Sequence, residues 1–405
     1  TGLHTGHTPV RGNIGINEGQ YPLPDSISTI PVLLKKEGYV TGAFGKWGLG
    51  YPGSEGDPVN QGIDEFYGYN SQTFAHNYYP EELWHNKEKV YIPENNGVKR
   101  GMYAPQLIHE KTLEFIERYK DSTFFLYVPS VIPHAEMFAP EEYMDQFTDK
   151  ASMEGPFSRI SKFAPETAYK GVDDIDHPRF KKGGYGSQPY PRAAFAAMVT
   201  LLDDQVGEIV EKVKELELEE NTIIIFTSDN GPHREGGADP DYFNSNGLFR
   251  GYKRDLYEGG IRVPLIARWP GKITAGTETA HISAAWDVLP TLCEVTGIDI
   301  PDPIDGISFY PDLTGKEGQQ QHEFLYWEFY EQGKKQAVRH NQWKAVRTGL
   351  EENPGAPVEL YDLSIDPEEE KNLAPRYPEV AQKMLSYMES SHTEDPAWPF
   401  FAGQK

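Results

Sequence analysis

The stretch "TIIIFTSDNGPH" at residues 222–233 has the pattern of a buried strand that ends in polar residues. Its β-branched and aromatic run is typical of a strand covered on both faces of a parallel sheet. The run stops at Asp229, Asn230 and Gly231, residue types that strands disfavour. A carboxylate at the end of a buried strand is costly unless a partner compensates its charge. The sequence therefore predicts that Asp229 and Asn230 hold something.

The same order of helix and strand occurs in the residues upstream. Residues 28–50 predict a short helix, a turn at Gly38 and a strand from Val40 to Phe44. Residues 105–134 repeat this order, and their strand, Phe124 to Val128, is apolar on both faces. Helices that alternate with such strands predict an α/β fold, in which a mostly parallel central sheet carries helices on both faces.

Two residues within predicted helices are assigned from their neighbours. Cys293, the only cysteine, lies in "DVLPTLCEVTG", and we expect a buried free thiol there. His109 lies in mid-helix beside Glu110 and Lys111, which favours a position at the surface.

The sequence pattern changes from about residue 318, where predicted short strands and turns replace the alternation of helix and strand. We predict a catalytic α/β domain at 1–317 and a small subdomain at 318–405, an antiparallel sheet closed by a C-terminal helix. The segments 51–104 and 135–191 are long and rich in Gly, Pro and aromatic residues. These segments are predicted to be insertions that cover a substrate.

Composition excludes several kinds of partner. The 405 residues include 38 Lys and Arg against 62 Asp and Glu, a net charge of −24. Such an acidic surface disfavours nucleic acid and anionic membranes, so an anionic substrate would need its own local cluster of cations. No stretch approaches the roughly 18 apolar residues of a membrane span. The chain starts with Thr1 rather than Met, and we expect residues to precede it in the protein.

Polar side chains follow three of the predicted strands. Lys46 follows "TGAFG", His134 follows "YVPSVIP", and the pair Asp229 and Asn230 follows "IIIFTS". Ligands of open α/β sheets bind beyond the carboxyl ends of the strands. We therefore expect these side chains to converge at one edge of the sheet.

Asp229 and Asn230 offer a carboxylate oxygen and an amide oxygen. Hard oxygen donors favour Ca²⁺ or Mg²⁺, whereas zinc would favour His or Cys. The alternative is an Asx turn that closes the strand. Since two ligands do not hold a metal alone, the metal hypothesis requires further ligands from elsewhere.

The remaining candidates are cations and histidines. Lys46 and Lys253 lie in glycine-rich turns, where they are either solvated charges or clamps on an anion. His134 is either a satisfied loop histidine or a general acid. His233 and His76 are candidates for substrate contact, with a structural role as the alternative for each.

Several quoted stretches together resemble the sulfatase family, the formylglycine-dependent type within the alkaline-phosphatase superfamily. "TGLHTGH" looks like the end of the family signature, Cys/Ser-x-Pro-Ser-Arg-x-x-x-x-Thr-Gly. "GYVTGAFGKWGLG", "QGIDEFYGY", "IIFTSDNG", "LYEGGIRVPLIARWPG" and "ELYDLSIDPEEEKNLA" are typical of the family and occur in its order.

The resemblance implies roles for individual residues. Asp229 and Asn230 match the family's calcium ligands, Lys46 and Lys253 match the lysines that hold the sulfate oxygens, and His134 matches the histidine that protonates the leaving alkoxide. The formylglycine nucleophile, made from a Cys or Ser, and two Asp ligands would then precede Thr1. The resemblance also implies a periplasmic or extracellular location for this protein.

One position departs from the family pattern. Many members read Gly-Lys-Trp-His-Leu-Gly, and that histidine contacts the formylglycine, whereas this chain has Gly48. His76 is the first candidate to replace it.

Alternatives to a sulfatase are a phosphatase or phosphodiesterase of the same superfamily and an inactive glycan-binding homologue. The former would use two zinc ions, for which Asn230 is a poor ligand. For a sulfatase, the expected partner is a sulfated glycan. "HNYYPEELWHN" is similar to branches that act on galacto-configured sugars, such as galactose or N-acetylgalactosamine 4-sulfate.

Overall fold

The computed structural model describes residues 1–8, 12–15, 19–97, 99–150, 159–173, 184–395 and 398–401. The strands are β1 (Asn13–Gly15), β2 (Gly19–Gln20), β3 (Val40–Lys46), β4 (Glu65–Tyr69), β5 (Glu82–His85), β6 (Glu88–Tyr91), β7 (Phe124–Tyr127), β8 (Thr148–Lys150), β9 (Arg159–Ser161), β10 (Ile224–Thr227), β11 (Leu265–Arg268), β12 (Leu325–Phe329), β13 (Lys335–His340), β14 (Trp343–Arg347) and β15 (Glu359–Asp362). The helices are α1 (Ile30–Lys36), α2 (Ala104–Arg118), α3 (Glu141–Phe147), α4 (Pro191–Glu215), α5 (Pro240–Phe243), α6 (Glu258–Ile261), α7 (Val288–Thr296), α8 (Tyr310–Leu313) and α9 (Pro378–Ser391). Short 3₁₀ turns lie at Phe74–His76, Pro93–Asn95, Glu219–Asn221, Glu235–Gly237 and Ala285–Asp287.

The central sheet has five strands in the order β6-β5-β4-β3-β7. β3 pairs in parallel with both β4 and β7, while β5 and β6 join antiparallel at the far edge. The predicted α/β fold with a mostly parallel sheet is therefore confirmed. Because β3, β4 and β7 run in one direction, their carboxyl ends share one edge of the sheet.

Successive residues of β3 and β4 pack into two different hydrophobic cores, one on each face of the sheet. Phe44 and Tyr67 pack into a large core that includes residues of α2 and α4. Ala43 and Phe66 point to the other face, where they pack with Trp47. This period of two fixes the register of the sheet, since a one-residue slip would exchange the two faces. Each large side chain so buried stabilises the fold by about 1.5–3 kcal/mol.

The strands at 124–128 and 222–227 are less buried than their sequence predicts. Tyr127 of β7 is 47% exposed, and Ile266 of β11, the strand antiparallel to β10, is 62% exposed. Among the described residues, β7 pairs only with β3 and β10 pairs only with β11. These strands are more exposed than the prediction of strands covered on both faces implies, and among the described residues β10 pairs antiparallel with β11 rather than in parallel within the central sheet.

The C-terminal sheet is antiparallel, in the order β12-β13-β14-β15. Met384 and Met388 of α9 pack on Tyr326, Val338 and other buried residues of this sheet. The predicted antiparallel sheet with a closing helix is confirmed, whereas the boundary at 317/318 stays a prediction.

A buried ion pair joins this sheet to the rest of the chain. Lys344 Nζ of β14 lies 2.8 Å from Glu258 Oε1 of α6, and both side chains are almost fully buried. The Glu258 backbone N–H donates to Glu369 Oε2 at 2.7 Å. These contacts fix the turn that precedes β11, next to the loop that carries Lys253.

Two single-residue predictions have opposite outcomes. Cys293 is a buried free thiol, as expected. His109 is 8% exposed and its Nε2 lies 2.7 Å from Glu208 of α4, so the predicted surface position is wrong. The helix–helix contact between α2 and α4 covers it, which the local charges could not indicate. None of the helices in the described ranges is long and apolar enough to span a bilayer.

Candidate active site

Lys46 stands at the carboxyl end of β3, and a glycine brings it there. Its backbone N–H donates to Pro129 O at 2.9 Å, just beyond the end of β7. A Cβ on Gly45 would lie 2.2 Å from the same oxygen, and Gly45 has a φ of +143°. Only glycine therefore allows the two strand ends to approach this closely. Burial lowers the pKa of Lys46, and the negative charge of Asp229 opposes that shift.

Asp229 and Asn230 lie in the turn after β10. The turn is tied to α6, because Gly231 N–H donates to Gly260 O at 2.9 Å. A Cβ on Gly231 would lie 1.9 Å from Gly259 O, so the "DNG" and "EGG" sequences each need their glycines. The Asp229 side chain is exposed rather than buried, which corrects the expectation of a sealed strand end.

Lys253 is held beside this turn. Its N–H donates to Pro232 O at 2.9 Å, which connects the two loops. Burial lowers the pKa of Lys253; Lys46 lowers it further, while Glu235 and Asp229 oppose the shift. The two ammonium groups and the Asp229 carboxylate are therefore close enough to influence one another's charge, although Lys46 and Lys253 are 207 residues apart in the sequence.

His134 is fixed by contacts to its backbone and ring. The Tyr78 hydroxyl lies 2.5 Å from His134 O and 2.8 Å from Val131 O. His134 Nδ1 lies 2.6 Å from Ala135 O, to which a protonated Nδ1 donates, so Nε2 is left for a substrate. Burial, and after it the positive charge of Lys253, lower the pKa of His134 to about 2. An anion placed beside Lys253 would raise this pKa.

The structure brings both remaining histidine candidates to His134. The His76 ring stacks on it with a centroid distance of 4.8 Å, and the His233 ring with one of 5.1 Å. His76 is partly exposed and stays a candidate for substrate contact. His233 is 8% exposed, and its ring nitrogens face Pro133 O and Glu235, which leaves no free nitrogen for a substrate.

Three neighbours of these histidines were not predicted from the sequence as residues of the site. Tyr185, from the second insertion, lies 5.5 Å from the His76 ring. Glu235 and Arg254 form an ion pair behind His233. A Glu or an Arg in a loop is most often a solvated charge. Their positions in the sequence were the one available indication. Glu235 lies two residues after His233, and Arg254 directly follows Lys253.

The donors at Asp229 and Asn230 fit a hard divalent cation. In the part of the chain that the structure describes, the Asp229 carboxylate accepts no hydrogen bond. Asn230 uses its Nδ2 on Gly231 O at 2.8 Å, which leaves Oδ1 available. A carboxylate and an amide oxygen are suitable ligands for Ca²⁺, which takes six to eight oxygens in total. These two residues would therefore supply part of a calcium site.

The backbone conformation at Gly48, rather than a lack of space, disfavours an ordinary side chain there. Its φ is +76°, the left-handed region that favours glycine, and a Cβ would lie 3.5 Å from Gln20 Oε1. The local backbone thus agrees with the departure from the family histidine.

The fold is that of an α/β protein, and Lys46 and Lys253 place positive charge near Asp229, close to the carboxyl end of β3. The family model described as Sulfatase matches residues 1–298, and the model described as N-sulphoglucosamine sulphohydrolase, C-terminal, matches residues 246–394. The chain belongs to the sulfatase family, whose members are sulfuric ester hydrolases.

Relatives of known name support this assignment. An N-acetylgalactosamine-6-O-sulfatase of Bacteroides thetaiotaomicron is 27% identical, over 97% of this chain and 83% of the relative. Human N-acetylgalactosamine-6-sulfatase is 29% identical over 72% of this chain, which spans 49% of the human protein.

Solved structures confirm the fold. The crystal structure of Ps i-CgsB in complex with k-i-k-neocarrahexaose superimposes with a TM-score of 0.74, at 24% identity over 97% of this chain and 80% of that one. A phosphonate monoester hydrolase of Agrobacterium radiobacter has a TM-score of 0.58, at 19% identity over 91% of this chain and 81% of that one. The shared architecture is thus compatible with more than one ester chemistry.

Proposed function

We propose that this protein hydrolyses sulfate esters of a carbohydrate, with Lys46, Lys253 and His134 as its catalytic residues. The observation that carries the proposal is that Lys46 and Lys253 lie near each other and near Asp229, and that His134 lies near Lys253, in a chain of net charge −24. In so acidic a protein, a local pair of lysines supports binding of an anion.

The two lysines hold the sulfuryl oxygens. Transfer of a sulfuryl group, like that of a phosphoryl group, requires mainly positioning and neutralisation of charge. Burial disfavours the charged form of both ammonium groups, as their lowered pKa values show. A bound sulfate restores the balance by placing negative charge between them, so the site is electrostatically prepared for an anion.

His134 donates a proton to the leaving oxygen. An anionic group beside Lys253 raises the pKa of His134 and stabilises its imidazolium form. With Nδ1 bonded to Ala135 O, Nε2 delivers the proton. An alkoxide from a sugar is a poor leaving group, so this proton transfer matters most for carbohydrate esters.

The nucleophile and the remaining metal ligands are proposed to come from residues upstream of Thr1. The edges of β7 and β10 support this, because within the described ranges each strand has one edge without a paired strand, where a further strand could pair. A formylglycine hydrate in that upstream segment would supply the attacking oxygen, and Asp229 and Asn230 would hold in part a Ca²⁺ that adds positive charge. A periplasmic or extracellular location is part of the same proposal.

The substrate is proposed to be a galacto-configured sugar sulfate. The names of the bacterial and human relatives support a 6-sulfate of N-acetylgalactosamine, whereas the stretch at residues 76–86 suggested a 4-sulfate. Tyr185 and His76 offer ring faces near His134 on which a sugar can stack.

Sulfate release from a panel of sugars tests this proposal. The full-length enzyme is incubated with the 4-sulfates and 6-sulfates of galactose and N-acetylgalactosamine and with glucosamine 6-sulfate, and free sulfate is measured by ion chromatography. We expect release from at least one galacto-configured sugar. Release only from glucosamine 6-sulfate would contradict the proposed sugar, and release from none of them would contradict the proposed function.

Asp229→Asn should weaken calcium binding. Loss of one carboxylate charge from a hard-oxygen site lowers Ca²⁺ affinity by a factor on the order of 100, which is about 2.7 kcal/mol. Isothermal titration of the metal-free full-length protein measures this change. Asp241→Asn is the matched control, because Asp241 is an exposed carboxylate paired with Arg234 in the same region. Equal affinity of Asp229→Asn and wild type would remove Asp229 from the metal site.

A further inference from the structure

Three imidazole rings form one stack in the site. His134 lies in the middle, with an interplanar angle of 5° to His76 on one side and of 22° to His233 on the other. The stack holds the His134 ring from both faces, so the orientation of its Nε2 depends on how firmly the outer rings are held. His76 lies on the exposed side, whereas His233 is buried.

The buried ring, His233, is fixed at both nitrogens. Its Nε2 lies 2.9 Å from Pro133 O, to which a protonated Nε2 donates. Its Nδ1 lies 3.1 Å from Glu235 Oε2 and 3.2 Å from the Glu235 backbone N–H. A neutral ring accepts from that N–H, and a protonated ring donates to the carboxylate, so either form keeps the same orientation.

Glu235 is in turn held by Arg254. The Arg254 Nη1 contacts Glu235 Oε1, and its Nε lies 3.0 Å from Glu331 Oε2. Burial by itself raises the pKa of Glu235, but its contacts with His233 and Arg254 and the positive charge of Lys253 outweigh this effect and keep the pKa well below its usual value. Arg254 has a φ of +77°, an uncommon conformation for a residue with a side chain. Lys253 therefore lies near Lys46 and Asp229, whereas the side chain of the next residue, Arg254, contacts Glu235.

We infer that Glu235 and Arg254 are positioning residues for the general acid: acting through His233, they fix the ring of His134 against the substrate. Neither residue is assigned a contact with the sulfate. The inference rests on the proposed function, since it gives His134 the role of acid.

A double-mutant cycle between Glu235→Gln and His134→Ala tests this inference in the full-length enzyme. The cycle uses kcat/KM for a sugar sulfate, whose leaving group needs the proton, and for 4-nitrophenyl sulfate, whose leaving group does not. We expect Glu235→Gln to lower kcat/KM for the sugar sulfate by about 10- to 100-fold, and that for the aryl sulfate by less than about threefold. With His134 already replaced, Glu235→Gln should have no further effect on either substrate.

Equal losses on both substrates, or losses that multiply with those of His134→Ala, would overturn the inference and leave Glu235 with a general structural role. Asp241→Asn is the control for a lost carboxylate in the same region, and we expect it to change neither value. If Glu235→Gln lowers Tm, Arg254→Gln replaces it, because it removes the ion pair and leaves the carboxylate in place. The same selectivity for the sugar sulfate is expected of that variant, and its absence would also overturn the inference.

The experiment distinguishes failure of the proposed function from failure of the role inferred for Glu235 and Arg254. A wild-type enzyme that releases no sulfate from either substrate contradicts the proposed function. An active wild type with an additive cycle contradicts only the role of Glu235 and Arg254.

Discussion

Lys253→Ala is expected to lower kcat/KM for a sulfate ester by about 10²- to 10³-fold, a loss of about 3–4 kcal/mol in transition-state stabilisation. The reason is the position of the ammonium group, which lies half-buried beside Lys46 and Asp229, where its charge is poorly screened by water. Steady-state kinetics on 4-nitrophenyl sulfate measure the loss. Tm should change little, because the backbone of residue 253, which bonds Pro232 O, is unaltered.

Lys272→Ala is the matched control, since Lys272 is a fully solvated lysine in the turn after β11. We expect its kinetics to equal those of the wild type. If Lys253→Ala also retains wild-type turnover, Lys253 does not contact the reacting group, and the proposed anion site is wrong at that position.

His134→Ala should separate substrates by their leaving groups. We expect a loss of about 10²- to 10⁴-fold on a sugar sulfate, whose alkoxide needs a proton. Turnover of 4-nitrophenyl sulfate should fall much less, since nitrophenolate leaves without help. The measurement is a plot of log kcat/KM against the pKa of the leaving alcohol, which should be steeper for the variant.

An equal fall along the whole series would contradict the role of acid and would assign His134 to binding alone. His85→Ala is the control, because His85 is an exposed histidine on β5 that is not part of the imidazole stack. It should leave the slope unchanged.

Much of the central architecture is predictable from hydrophobic pattern. The alternation of helix and strand predicts the order α1-β3 and α2-β7, and Gly38 turns the chain between α1 and β3 as expected. The convergence of Lys46 and His134 follows from the rule that parallel strands end at one edge. These features depend on the local sequence pattern and on the handedness of strand connections, so they can be predicted from the sequence.

Other features depend on contacts between distant segments. The half-exposed state of β7 and β10 depends on which strands pair with them, which the apolar run at 222–226 cannot reveal. His109 is buried because α4 packs over it. Glu235 and Arg254 gain their importance only from the ring of His233, and an isolated acidic or basic residue in a loop gives no sign of such a neighbour.

The central claim is that this site cleaves a sulfate ester, and a paired measurement of kcat/KM on 4-nitrophenyl sulfate and 4-nitrophenyl phosphate tests it most directly. Both esters have the same leaving group, so the ratio reports only which group the site transfers. For the full-length enzyme with calcium, we predict a clear preference for the sulfate, and Lys253→Ala should lower turnover of the sulfate. A preference for the phosphate, or no turnover of either ester, would contradict the assignment and favour a phosphatase or an inactive homologue.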